Sequence, residues 1–223
     1  MPGPLTLFSV SYARTACRFL LCALALTTLA GCTERTRYDA LREGAVVLAF
    51  GDSVTAGTGA PKGQDYPSQL EQHSGLQVIN GGVSGDTARA AIARLQPLLE
   101  RHQPALVIVE LGGNDFLRQT PAATVKADLR TIIRQVQAYG AVVALVAVPR
   151  LSLLRASLGS LKDSSIYAEL AEEEEVILVP RIFSEVLSDA NARADKIHPN
   201  AHGYERLALA IQATLIGAGL INH

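Results

Sequence analysis

A chain of 223 residues with 48% hydrophobic content suits one globular domain or at most two small ones. The formal net charge is −1, and there is no basic stripe or interleaved aromatic set, so nucleic acid is not an expected partner. Aromatic residues make up only 5% and Trp is absent, which argues against an aromatic-lined platform for sugars or bases.

The first residues read as a targeting segment outside the fold. Arg14 and Arg18 give a positive flank, Phe19 to Ala30 is almost wholly apolar, and Leu29-Ala30-Gly31-Cys32 follows. As a helix the apolar run would span about 18 Å, short of a hydrocarbon core of roughly 30 Å. It is read as a cleaved export signal, residues 1–31, with an uncleaved anchor or a buried helix as the alternative. Leu29-Ala30-Gly31-Cys32 also resembles the lipobox of bacterial lipoproteins. That resemblance implies lipidation of Cys32 and anchorage of the mature protein to a membrane. Thr33 follows the cysteine in place of the aspartate that resembles an inner-membrane retention signal, so the expected location is the outer membrane, facing the periplasm. Cys17 and Cys22 leave with the signal, and the mature domain then holds neither a disulfide nor a thiol nucleophile. Residues 32–44 are read as a polar tether and 45–223 as the folded domain.

Strand-like and helix-like runs alternate through that domain. Strands are expected at Val46–Phe50, Leu76–Ile79, Ala105–Leu111, Ala141–Val148 and Val176–Val179, all continuous apolar runs of the kind buried on both faces. Helices are expected near Tyr66–His73, Thr87–Arg101, Pro121–Tyr139, Ser164–Glu174, Arg181–Asn191 and Ala201–Ile216. Asp86 and Asn200 suit helix N-caps, and Gly140 suits a C-terminal cap. The alternation predicts one doubly wound α/β domain on a five-stranded parallel sheet. Leu151–Asp163 has no clear period and follows the fourth strand, so it is expected to shape a substrate site.

In such a sheet the loops after the strands gather at one edge, where ligands bind. Val46–Phe50 runs into Gly51-Asp52-Ser53-Val54. Leu76–Ile79 runs into Asn80-Gly81-Gly82-Val83-Ser84-Gly85-Asp86. The third strand runs into Gly112-Gly113-Asn114-Asp115. Asp195-Lys196-Ile197-His198 stands near the C-terminus. Together these supply what acyl transfer needs: a nucleophile, a base, an orienter for the base, and donors for the oxyanion. Ser53 is the candidate nucleophile, His198 the base and Asp195 its orienter. Asn114 through its amide, Gly85 through its N–H and Ser53 through its N–H are the candidate oxyanion donors. Taken singly, each signal has a plain reading: Ser53 suits a turn, and Asp195 with His198 suits a surface pair. Asp52, Asp86 and Asp115 fit turn or cap roles better than the orienter's role. His73 and His102 precede strands and belong to the opposite edge, whereas His202 is a candidate for a supporting position behind the site.

Two other chemistries fit less well. A phosphate nest lacks Gly-Lys-Ser/Thr and would face the Asp52 carboxylate. A metal set of Asp195, His198 and His202 lacks the spacing of known ligand motifs, so no metal or cofactor is expected. Gly-x-Ser-x-Gly, the α/β-hydrolase elbow, is absent around Ser53 and Ser84.

Taken in order, the four blocks Gly51-Asp52-Ser53, Ser84-Gly85-Asp86, Gly112-Gly113-Asn114-Asp115 and Asp195-Lys196-Ile197-His198-Pro199-Asn200 resemble the SGNH (GDSL-type) esterase/lipase family. The likeness runs from about Val46 to Ile216 and is nearest to the bacterial thioesterase I/lysophospholipase/arylesterase branch. It implies a three-layer α/β/α fold with strand order 2-1-3-4-5, a Ser53–His198–Asp195 triad, the oxyanion donors named above, and no metal. Val54 departs from the usual leucine after the serine, and the Leu151–Asp163 stretch does not match closely. The implied activity is hydrolysis of carboxylic esters of lipid or small acyl substrates, by a protein expected to act as a monomer. Phe116 and Leu117 lean toward an acyl chain, unless both pack in the core. An acetyl esterase acting on envelope glycans, or an inactive scaffold that only binds, are the alternatives.

Overall fold

The computed structural model describes residues 38–150 and 161–222. The expected signal segment, Cys32, the first part of the tether and most of the Leu151–Asp163 stretch lie outside the described residues. Within 38–44, Tyr38 and Leu41 are half-buried against the domain, and the Leu41 N–H donates to the Leu220 carbonyl at 2.7 Å.

Five parallel strands form one sheet in the order β2-β1-β3-β4-β5. They are β1 (Val46–Gly51), β2 (Gln77–Gly82), β3 (Leu106–Glu110), β4 (Val142–Val146) and β5 (Ile177–Val179). All five residues of the central β3 are buried, as expected for a strand covered on both faces, whereas the edge strand β2 is only partly covered. The longer helices are α2 (Tyr66–Ser74), α3 (Ala88–His102), α5 (Ala122–Tyr139), α6 (Ser165–Glu173) and α8 (Ala201–Gly217), with the shorter α7 (Ile182–Ser188). Helix α3 packs on α5 and α5 on α6, whereas α2 packs on α8 and α8 on α7, giving one helical layer on each side of the sheet. The expected fold class and strand order are therefore observed.

Register decides where the loops emerge. Gly51 is paired with Gly82 in β2 and with Glu110 in β3, so three strands end level with one another. The chain leaves β1 toward β2 and later returns to place β3 on the other side of β1. That reversal opens a crevice at the C-terminal ends of β1 and β3.

Local differences from the sequence reading have physical causes. β2 continues three residues past Ile79, because glycines there let backbones approach closely: a Cβ on Gly82 would lie 2.3 Å from the Ala56 nitrogen. Two short helices, α1 (Ser53–Ala56) and α4 (Gly113–Leu117), occupy segments read as turns; each is too short to show periodicity. The N-cap of α3 is Thr87, whose side chain accepts from the Ala90 N–H, and not Asp86, whose carboxylate is taken by Arg94. Asn200 caps α8 as expected, accepting from the Gly203 N–H, and Gly140 closes α5 at φ +94°.

Candidate active site

Ser53 is the first residue of α1, and Asp52 is its N-cap, accepting from the Val54 N–H at 3.0 Å. At that position the Ser53 N–H has no carbonyl one turn earlier to receive it. The turn is built closely. A Cβ on Gly51 would collide with the Thr55 side chain, so only glycine fits before Asp52.

His198 reaches this serine from the loop before α8. Its Nε2 is 3.0 Å from Ser53 Oγ and its Nδ1 is 2.8 Å from Asp195 Oδ2. The other oxygen, Asp195 Oδ1, accepts the N–H groups of Ile197 and His198, each at 2.8 Å. One oxygen therefore fixes the loop and the other fixes the ring. Burial pushes the Asp195 carboxyl up, but the His198 ring and the two backbone N–H groups outweigh it and hold the group below its ordinary range. An ionised carboxylate only accepts, so Nδ1 carries the proton and Nε2 faces Ser53 as an acceptor. The loop itself is pinned by the Ala194 N–H on the His198 carbonyl at 2.9 Å. It rests on Gly59, where φ is +99° and a Cβ would lie 2.5 Å from the Pro199 carbonyl.

Across the crevice, Asn114 lies in α4 at the end of β3. Its Nδ2 donates to Asp52 Oδ2 at 3.0 Å and to the Asp86 carbonyl at 2.9 Å. These two acceptors set the direction of the amide before any substrate arrives. Gly85 has φ +86°, and among the described residues nothing beyond its chain neighbours lies within 4 Å of the Cβ it lacks, so its backbone borders open space. Val54, Leu117, Phe183 and Ile197 add apolar walls to the cleft that holds Ser53, Asn114 and His198.

Two buried carboxyl groups, Asp52 and Glu110, line the cleft with Ser53. Burial pushes Asp52 up to about 6, opposed by the Val54 N–H, the charge of His198 and the Asn114 amide. Burial also raises Glu110 well above its ordinary value, and the charge of Asp52 adds to the effect. Glu110 Oε2 accepts from Thr55 Oγ1 at 3.2 Å, while Oε1 has no hydrogen-bond partner among the described residues. A carboxyl so placed favours its neutral form.

A family model described as GDSL-like Lipase/Acylhydrolase matches residues 49–206, which include the serine turn, the Gly85 and Asn114 loops and the Asp195–His198 loop.

The chain belongs to the GDSL-like lipase/acylhydrolase family.

It is a carboxylic ester hydrolase. Among relatives, "Thioesterase 1/protease 1/lysophospholipase L1" of Escherichia coli K12 is 38% identical over 69% of this chain and 75% of its own length. An "Arylesterase" of Vibrio mimicus is 32% identical over 76% of this chain and 88% of its own. Among solved structures, one of TesA superposes with a TM-score of 0.68 at 30% identity, covering 78% of this chain and 99% of that one.

In this GDSL-like hydrolase, Ser53, His198 and Asn114 line one crevice, Asp195 joins it through His198, and Gly85 stands on the loop whose Asp86 carbonyl receives the Asn114 amide. His202 does not join them: it is exposed and faces Glu205 at 3.8 Å. The three-ligand alternative of Asp195, His198 and His202 is therefore not assembled, since both His198 nitrogens face Asp195 and Ser53. His73 and His102 end α2 and α3 at the edge where the next strands begin, as expected. Phe116 is buried in the core and Leu117 lines the cleft, so the two apolar residues divide between the readings offered for them. Asp115 caps a neighbouring element, accepting the Ala88 N–H at 2.9 Å. Sequence reading gave no role to Glu110 or Arg94 and read Asp52 as a turn or cap residue, a cap that the structure shows, but not as the partner of Asn114. A glutamate closing an otherwise apolar strand was the available signal for Glu110. Arg94 gave none, since an arginine on an amphipathic helix reads as solvated.

Proposed function

We propose that this hydrolase works by two-step acyl transfer through Ser53, His198 and Asp195. The single observation that carries the reading is the relay of 3.0 Å from Ser53 to His198 and 2.8 Å from His198 to Asp195. Ser53 Oγ attacks the ester carbonyl while His198 Nε2 takes its proton, and the oxyanion forms against the N–H of Ser53, the N–H of Gly85 and the Asn114 amide. To serve the oxyanion, Asn114 shares a hydrogen now directed at Asp52 or Asp86. His198 then protonates the leaving alcohol. Water, deprotonated by His198, attacks the acyl-enzyme and releases the acid and Ser53. Asp195 holds the ring and stabilises the imidazolium that forms.

The favoured substrates are esters with an apolar acyl chain: lysophospholipids, short acyl esters and aryl esters. The apolar walls from Val54, Leu117, Phe183 and Ile197 and the names of the relatives support that class. Anchorage through lipidated Cys32 in the cell envelope removes the enzyme from cytosolic acyl-CoA, so thioester cleavage is a side activity. The protein acts as a monomer. A chain-length series of p-nitrophenyl esters, run beside a lysophosphatidylcholine and an acetylated glycan, tests the substrate class. Turnover of acyl esters and lysophospholipid is expected, and turnover of the acetylated glycan alone would replace this reading with an acetyl esterase. Radiolabelled palmitate on wild type but not on Cys32→Ser is the expected outcome for the anchor; equal labelling of both would refute it.

A further inference from the structure

Arg94 projects from α3 under the crevice, and its guanidinium makes three short bonds. Nε donates to Asp86 Oδ2, one terminal nitrogen to the Gly81 carbonyl and the other to the Gly51 carbonyl, each at 2.6 Å. The guanidinium carbon also lies 4.2 Å from the centroid of the buried Phe50 ring. The side chain is 22% exposed and that of Asp86 15%, so this is not an open surface pair.

Those partners are not scattered. Gly51 ends β1, two residues before Ser53. Gly81 lies at the end of β2, from which the chain runs to Gly85. Asp86 adjoins Gly85, and its carbonyl receives the Asn114 amide at 2.9 Å. The Gly51 carbonyl also accepts the Val83 N–H at 3.1 Å, which ties the β2 loop to β1 at the atom that Arg94 holds. The segments that carry Ser53 and Gly85 are thus fastened to one planar cation, and Asn114 is tied to it through Asp86, whose carboxylate Arg94 holds and whose carbonyl the Asn114 amide meets.

We propose that Arg94 is a positioning residue that sets the mutual spacing of the three oxyanion donors. The inference rests on the acyl-transfer reading above and adds a residue to it. A planar fork of donors serves two carbonyls and a carboxylate at once from a fixed geometry, whereas the compact ammonium of lysine does not. Because the donors matter most when charge builds on the carbonyl oxygen, a loosened spacing lowers kcat and leaves ground-state binding nearly unchanged.

The test compares Arg94→Lys, Asn114→Ala and the double variant in the full-length protein, with a p-nitrophenyl ester as substrate and melting temperature followed in parallel. Arg94→Lys is expected to lower kcat by about 10- to 100-fold with KM within about twofold. In the Asn114→Ala background its further loss is expected to be well below that factor, because one donor set is already broken. Asp86→Asn, which keeps the shape and removes the charge, is expected to repeat the kcat loss in milder form and serves where the lysine variant does not fold. A folded Arg94→Lys, or where it does not fold a folded Asp86→Asn, with wild-type kcat overturns the proposal. So does a loss that multiplies in full on Asn114→Ala, since a merely structural residue would act independently of the donor. A fluorophosphonate probe that labels wild-type Ser53 shows in the same samples that the underlying acyl-transfer reading stands; absence of labelling would sink that reading instead.

Discussion

Replacing Asp195 by Asn and by Ala separates its two oxygens. Oδ1 accepts two backbone N–H groups and Oδ2 accepts the proton on His198 Nδ1. In Asp195→Asn the amide oxygen still serves the backbone, so the loop keeps its shape. The amide nitrogen now faces Nδ1 as a donor, and the imidazole must move its proton to Nε2 to accept. Nε2 then carries hydrogen toward Ser53 Oγ and no longer acts as a base. An inverted tautomer of this kind lowers kcat by about 10⁴, equivalent to about 5 kcal/mol of barrier. Asp195 is half exposed, at 55% for the side chain, so water softens the electrostatic part of the loss but not the tautomeric part. Asp195→Ala leaves the ring free to sample the productive tautomer against water, at the expense of two loop hydrogen bonds. The expected order of kcat is therefore wild type, then Ala, then Asn. Steady-state hydrolysis of p-nitrophenyl butyrate, on variants shown folded by circular dichroism, measures it. Asn at or above Ala would refute the assignment of the proton to Nδ1.

Asn114→Ala is expected to reduce turnover about 10²–10³-fold, near 3–4 kcal/mol, with little change in KM, as stopped-flow or steady-state kinetics would register. Gly85→Ala places a methyl in open space at φ +86°, so backbone strain of about 1–2 kcal/mol should be the main stability loss, read by urea unfolding. A loss above that range would mean that the added methyl meets a neighbour and not open space. Glu110 binds its proton more tightly in the folded than in the unfolded state, so its burial penalty is absent in acid and grows as pH rises past its ordinary value of 4.5. The melting temperature of Glu110→Gln relative to wild type should therefore climb as pH rises above about 4.5, and a flat difference would show that Glu110 is not held neutral. Burial of Asp52, raised from 3.8 to about 6, makes both proteins lose stability as pH rises from about 3.8 to about 6.

What the sequence disclosed followed from residues whose neighbours are fixed by chain order. Ser53 and Asn114 stand directly after apolar strands, and parallel pairing brings such ends together whatever the rest of the chain does. Asp195 and His198 share one short loop, so their contact is local. Roles made by distant partners stayed hidden. Arg94 lies on α3 and meets carbonyls at the ends of two strands, which no periodicity reveals. The Asp52 carboxylate orients Asn114, 62 positions later in the chain. Asp86 resembled a cap because it precedes a helix, but Arg94 competed for its carboxylate and Thr87 took the cap. The extra length of β2 turned on the close approach of α1 to Gly82, a tertiary contact.

The acyl-transfer mechanism depends most on Ser53 being an activated nucleophile. Mass spectrometry of the protein after treatment with a fluorophosphonate probe tests this directly. One adduct mapped to Ser53 is predicted, abolished in Ser53→Ala and slowed severely in His198→Ala. A folded Ser53→Ala protein that still takes the label, or still cleaves the ester at the wild-type rate, would contradict it.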